Sequence, residues 1–293
     1  MSLTVAIIFA LASAGCAAIA SVLQHRTARA APGGRGLRIG LIASLLRRPL
    51  WLVGVSAAGA AFLFHAAALQ GGQLAIVQPL LVSSLLFALP ATALLDKRRP
   101  SITEWTWALL LIVGLGLFLG FARPTAGTAL PNLSVFIPAL ALAGALTATS
   151  VFLGAVPLRR YRPALFGFAT GTAYGIVAAL IKYVVGIGVS DPIRVLTDWP
   201  LYVLVVVGAF GVVLNQTAYQ AGSLAAALPP LALSDPVVAA LLGVVAFGEQ
   251  MTTTPIAVIG QIIGAVLAGT AAVTLARREA HDMRDDAGRV GGP

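Results

Sequence analysis

Asp235 is the residue whose chemistry most needs explaining. It stands in Leu231-Ala232-Leu233-Ser234-Asp235-Pro236, near the middle of an apolar run over 224–247. An ionised carboxylate at such a depth costs at least ~2.5 kcal/mol by insertion scales unless it is paired or faces water. Two readings meet that cost. One is a proton or cation site, the default role of an ionisable group inside a membrane-length run. The other is a structural carboxylate held by Ser234 and by backbone loosened at Pro236. Asp235 is the only acidic side chain deep in such a run, and divalent cations want several oxygen ligands, so a metal site rests on this one residue and is left open.

Lys182 is the single basic residue inside an apolar run. Its long stem can carry the ammonium to the nearer headgroups, or the charge can neutralise Asp235 or an anionic substrate. Pro79 and the pair Pro229-Pro230 each fall about six residues into an apolar run. A proline there removes a backbone hydrogen bond, which predicts a gate or a cavity lining at these points. Polar side chains gather around them: His65, Gln70, Gln73 and Gln78, then Asn215, Gln216, Thr217, Tyr219 and Gln220. Such groups either join helices or line a polar cavity, and His65 alone reads as a satisfied core residue. Glu249 lies just before a helix expected to begin near Pro255, where an acid is favoured by the helix dipole, so it is expected to cap that helix. No thiol–imidazole pair, metal-spaced His or Cys set, or phosphate-cradling glycine loop occurs, so neither an enzyme nor a cofactor is expected.

The elements that position these residues follow from composition. Of 293 residues 59% are hydrophobic and 10% charged, with a mean hydropathy of +0.95, too little polar surface for a soluble globule of this size. In lipid every backbone polar group must be satisfied internally, and long unalternating apolar runs select helices over a barrel. Spans are expected at 3–23, 50–69, 73–95, 104–122, 133–156, 164–187, 200–219, 224–247 and 255–276, each near the ~20 residues a bilayer requires. The fold class is therefore an all-α integral membrane protein of nine helices, with its termini on opposite sides. The start of the first run, Met1-Ser2-Leu3-Thr4, has no basic side chain and the run is too long for a signal h-region, so it reads as a retained span. Ala6, Ala10, Ala14 and Ala18 give it a small-residue face, and packing accounts for the single cysteine, Cys16. Leu37–Leu46, short and flanked by arginines, is expected to lie along the inner interface.

Charge sets the orientation. Sixteen of the 19 Lys and Arg residues fall in one set of loops and the tail: in 24–49, in Lys97-Arg98-Arg99, in Arg159, Arg160 and Arg162, and from Arg277 onward. The opposite loops hold Arg123 and Arg194. By the positive-inside rule the N-terminus is outside and the C-terminus cytoplasmic, in a multi-pass protein of the inner, cytoplasmic membrane. The basic balance thus reports topology and anionic headgroups, not nucleic acid.

The chain also matches itself at an offset of 150. Phe64–Ala75 lies over Leu214–Ala225 with Ala68, Gln70, Gly72, Leu74 and Ala75 repeated, and Pro79, Ser84 and Gly114 lie over Pro229, Ser234 and Gly264. Spans two to four map onto seven to nine, and one onto six. Five spans separate each pair, an odd number, so the copies cross in opposite directions. The expected organisation is a first repeat of five helices over 1–156, with its basic loop 24–49, a second of four over 157–276, and a charged cytoplasmic tail, 277–293. Inverted repeats of this kind build a midplane site with two alternating accesses.

Phe247-Gly248-Glu249-Gln250-Met251-Thr252, followed by Gly260, Gly264 and Gly269, resembles the end of an EamA-type domain of the drug/metabolite transporter superfamily. The stretch Gly171-Thr172-Ala173-Tyr174-Gly175-Ile176 fits the same pattern. The nine-helix layout, with its basic first loop and Arg48-Pro49-Leu50-Trp51, is similar to that of NIPA-type magnesium transporters. The resemblance implies a secondary transporter of a small organic metabolite or drug, with a divalent cation transporter as the alternative and a non-transporting membrane subunit behind both. Span one has no acidic residue, so the first-helix glutamate of small multidrug exporters is absent here. The candidate pathway residues, taken from their own chemistry and position, are Asp235, Lys182, Pro79, Pro229, Pro230, Gln78, Asn215, Gln216, Tyr174 and His65. The implied partners are the lipid bilayer and a small-molecule or ion substrate, in a monomer or a homodimer.

Overall fold

The computed structural model describes residues 2–29, 48–95, 100–156, 161–221 and 224–290, with side chains outside the description at 24–29, 216, 219–220, 224–225, 276 and 278–290. The run 37–46, expected at the interface, lies outside the described residues. The helices are α1 (Leu3–Arg29), α2 (Pro49–Gly71), α3 (Leu74–Leu81), α4 (Ser84–Leu95), α5 (Ile102–Ala122), α6 (Leu133–Ala155), α7 (Arg162–Ser190), α8 (Arg194–Thr197), α9 (Trp199–Gln220), α10 (Leu224–Phe247) and α11 (Pro255–Val290). Among the described residues eight spans, counting α3 and α4 as one, are long and apolar enough to cross a membrane, and α9 adds an apolar stretch over Trp199–Asn215. The protein is an all-α membrane protein.

Local chemistry sets several starts. Prolines open α2 and α9 in the first turn, where the missing N–H has no partner to lose. Ser101 and Glu104 form a capping box at α5, and the Asn132 side chain accepts from Ser134 N at 3.2 Å to cap α6. Pro49 and Trp199 open corresponding helices at an offset of 150, and Leu74 and Leu224 do so at the same offset. The third span is broken: after Pro79, Val82 and Ser83 form a turn that separates α3 from α4, with Ser83 Oγ donating to Leu80 O at 2.6 Å. The matched prolines Pro229 and Pro230 do not break α10, which runs unbroken through them and Pro236. They are the sixth and seventh residues of the helix, past the four N–H groups that lack an intrahelical partner, so the helix continues at the loss of backbone hydrogen bonds there. At the end of the chain α11 continues through the expected tail to Val290, in keeping with its Ala, Arg, Glu and Met content.

The most enclosed span is α7, which packs on α10, α9, α6, α2 and α3. Its glycines at four-residue spacing admit α10: a Cβ at Gly167 would strike Ala227 O, one at Gly171 would strike Ser234 Oγ and Leu231 O, and one at Gly175 would meet Val238 and Asp235 O. A second close pair, α5 with α11, is built the same way from Gly114 against Ala268 and Gly264 against the backbone of Phe118. Gly264→Val should therefore force these helices apart and lower stability by about 1–3 kcal/mol. Gly116→Val, where a Cβ meets nothing within 4 Å, should leave the unfolding temperature in detergent almost unchanged.

At the arginine-poor end two loops interlock. Thr125 N donates to Gln250 O at 2.9 Å, Thr128 N to Phe247 O at 2.7 Å, Asn132 N to Ala246 O at 2.8 Å and Thr252 N to Ala122 O at 2.8 Å. Gly248 has φ +66, the left-handed region glycine tolerates, and a Cβ on Gly127 would collide with Phe247 O.

Candidate functional site

Asp235 lies about halfway along α10. Ala239, Leu242 and Ala246, four, seven and eleven residues on, are buried on the same face, so the carboxylate points to the helix's core side. Its Oδ1 is buried and has no hydrogen-bond partner. Ser234 does not hold it: that hydroxyl donates to Phe168 O at 3.2 Å, fastening α10 to α7. The structural carboxylate held by Ser234 is therefore not what the fold contains.

Lys182 does not neutralise Asp235 either. Asp235 and Val238 lie level with Gly175, and Lys182 is seven residues further along α7, ~10 Å at 1.5 Å per residue. Nor does it reach for the surface, because its side chain is only 7% exposed. It forms a buried ion pair with Glu249, whose side chain is 0% exposed. The Lys182 Nζ also stands 4.8 Å from the centroid of the Phe247 ring, a cation–π arrangement.

Glu249 departs from its expected role. Instead of capping the helix that begins at Pro255, its two carboxylate oxygens accept from Leu74 N at 2.7 Å and Ala75 N at 3.0 Å, the first amides of α3. Acid and helix N-terminus attract as anticipated, but the helix is another one, distant in sequence. Gly243 makes the room: a side chain there would run into the Glu249 carboxylate. Above the pair, Phe136, Tyr183, Trp199 and Phe247 pack ring to ring with centroids 5.7–6.5 Å apart. Three charge-assisted donors thus converge on one buried carboxylate. Its membership of the Phe247–Thr252 signature was the one sequence signal pointing there.

Around α3 the predicted polar residues do meet. His65 Nε2 and Gln78 Nε2 are 3.1 Å apart, joining α2 to α3, and Gln78 is buried. Gln73, the residue before α3, is buried with its Oε1 lacking a partner. Pro79 lines an apolar cavity of about 420 Å³ between α3, α5, α10 and α11, shared with Phe118, Leu233 and Pro236. Pro229 and Pro230 lie in α10 away from that lining, half-buried. Asn215 on α9 has a buried Oδ1 without a partner. The side chain of Gln216 lies outside the described residues. Tyr174 lays its ring against Gly211 of α9. Among the described residues no three His, Cys, Asp or Glu side chains gather as a metal cluster.

No protein-family model and no solved structure matches the chain. An uncharacterised protein of Corynebacterium glutamicum is 34% identical over 246 residues, which cover 84% of this chain and 85% of that relative. With matched residues running through most of both lengths, the chain belongs to the same family as this Corynebacterium protein.

Proposed function

We propose that the protein is a secondary transporter of the drug/metabolite type, moving a small organic solute across the cytoplasmic membrane by alternating access. The observation that carries this reading is Asp235: a carboxylate midway through a spanning helix, on its core face, with a buried oxygen that nothing in the described structure satisfies. Lys182 is already neutralised by Glu249, so the charge left in the interior is the aspartate's. It must be met by a proton, by a cationic group of the solute or by water each time the site changes sides.

The architecture supports the same reading. Two helix starts, Pro49 with Trp199 and Leu74 with Leu224, recur at one offset in the two halves, consistent with copies over 1–156 and 157–276. Matched elements are among those that meet across the middle, α3 with α10 and α5 with α11, as an in-plane two-fold axis requires. The third span is discontinuous, and its first half is buried throughout from Leu74 to Leu80, the kind of broken helix from which transporters build midplane sites. Orientation follows the arginine partition, with the interlocked loops outside.

A thermal-shift screen of the purified protein against metabolites, organic cations and divalent ions tests this directly. A true solute at one hundred times its Kd should stabilise the folded protein by about 2.7 kcal/mol, a rise of several degrees, and the rise should shrink in Asp235→Asn. A response confined to magnesium or its analogues would favour the cation transporter, and no response to any of them would favour a non-transporting subunit.

A further inference from the structure

We propose that Glu249 is the latch of a gate at the arginine-poor face, closed in this structure and released when that face opens. The inference rests on the transporter reading, because only alternating access requires such a contact to break. The loop over 248–254 carries the latch, and four backbone hydrogen bonds zip that loop and the end of α10 to the end of α5 and the loop over 123–132. In the repeat assignment these segments belong to different copies. Beneath them the Glu249 carboxylate leaves its own copy and seats on the α3 amides of the other. Lys182 holds it there from α7. One side chain thereby ties together three elements that must part if the face is to open.

The seat is shaped for a carboxylate that arrives from above. Gly243 leaves the space, and Gly248, immediately before Glu249, has the left-handed backbone that turns the chain inward. A desolvated ion pair of this kind has two cheap arrangements, fully seated and dry or fully withdrawn and hydrated, and costly ones between. That makes it a two-state element rather than a soft contact.

Ala75 is 0% exposed beneath the latch, so a thiol placed there reports opening. In nanodiscs, with Cys16→Ala removing the native thiol, the Ala75→Cys protein should react slowly with a membrane-impermeant maleimide. Adding Glu249→Gln strands the Lys182 ammonium and should speed labelling roughly tenfold. Adding Lys182→Met to that removes the stranded charge and should bring the rate back toward the starting value. An unchanged rate in a folded Glu249→Gln protein would overturn the latch and make the pair a permanent staple.

Should Glu249→Gln fail to fold, a disulfide between Thr125→Cys and Gln250→Cys, which face each other as a bridge, gives the same answer from the other direction. Formed in the Ala75→Cys protein, it should slow labelling, and a rate indifferent to it would overturn the latch. Flat labelling alongside intact ligand-induced thermal shifts discards the latch alone. Responsive labelling without any ligand response discards the transporter reading alone.

Discussion

Glu249→Gln is expected to destabilise the folded protein by about 3–5 kcal/mol, and by more than Lys182→Met does. Both substitutions break the same buried pair, but they strand different charges. Without the lysine, the carboxylate still accepts from Leu74 N and Ala75 N at a helix N-terminus, where a negative charge is favoured. Without the carboxylate, the ammonium keeps the face of Phe247 and shares one neutral amide oxygen with the α3 amides, weaker partners for a desolvated cation. The double change Lys182→Met with Glu249→Gln leaves no stranded charge, and Gln keeps an oxygen for the α3 amides. It should therefore be more stable than Glu249→Gln alone, with a coupling energy readable from the cycle. Thermal unfolding of the four proteins in one detergent measures this. Equal losses from the two single changes, adding up in the double, would mean that the pair contributes nothing as a pair.

How much of this was legible in the sequence depended on range. Long apolar runs marked the spans well because a bilayer dictates both their length and their backbone: the run expected at 133–156 is Leu133–Ala155, and that at 224–247 is Leu224–Phe247. The break between α3 and α4 was not legible as placed. Pro79 signalled trouble, but the turn falls at Val82 and Ser83, where a serine hydroxyl closes it. The prolines of α10 gave the same signal and the helix ignores them. At the site, Asp235 stood out because a charge inside an apolar run needs no partner to be noticed. Glu249 was read from its nearest helix, because a loop residue's contact with amides distant in the chain leaves no periodic mark. Lys182 stood out as the one basic residue inside an apolar run, with the headgroups, Asp235 or an anionic substrate as its expected destinations; its partner is Glu249, and nothing in the order of residues said so.

Asp235→Asn should give a protein that inserts and unfolds much like the original, since the amide matches the carboxylate in shape and removes the cost of an ionised group in the span. It should not, however, move solute. Adding Lys182→Met should not rescue it, because Lys182 is held by Glu249 and never served as the aspartate's counter-ion. Flux into proteoliposomes of a solute found by thermal shift, compared between the original protein and Asp235→Asn across a pH series, is the decisive measurement. The expected result is gradient-driven, pH-dependent uptake by the original protein and background leakage with Asp235→Asn; uptake by Asp235→Asn at the original rate and with the same pH dependence would contradict the role assigned to Asp235.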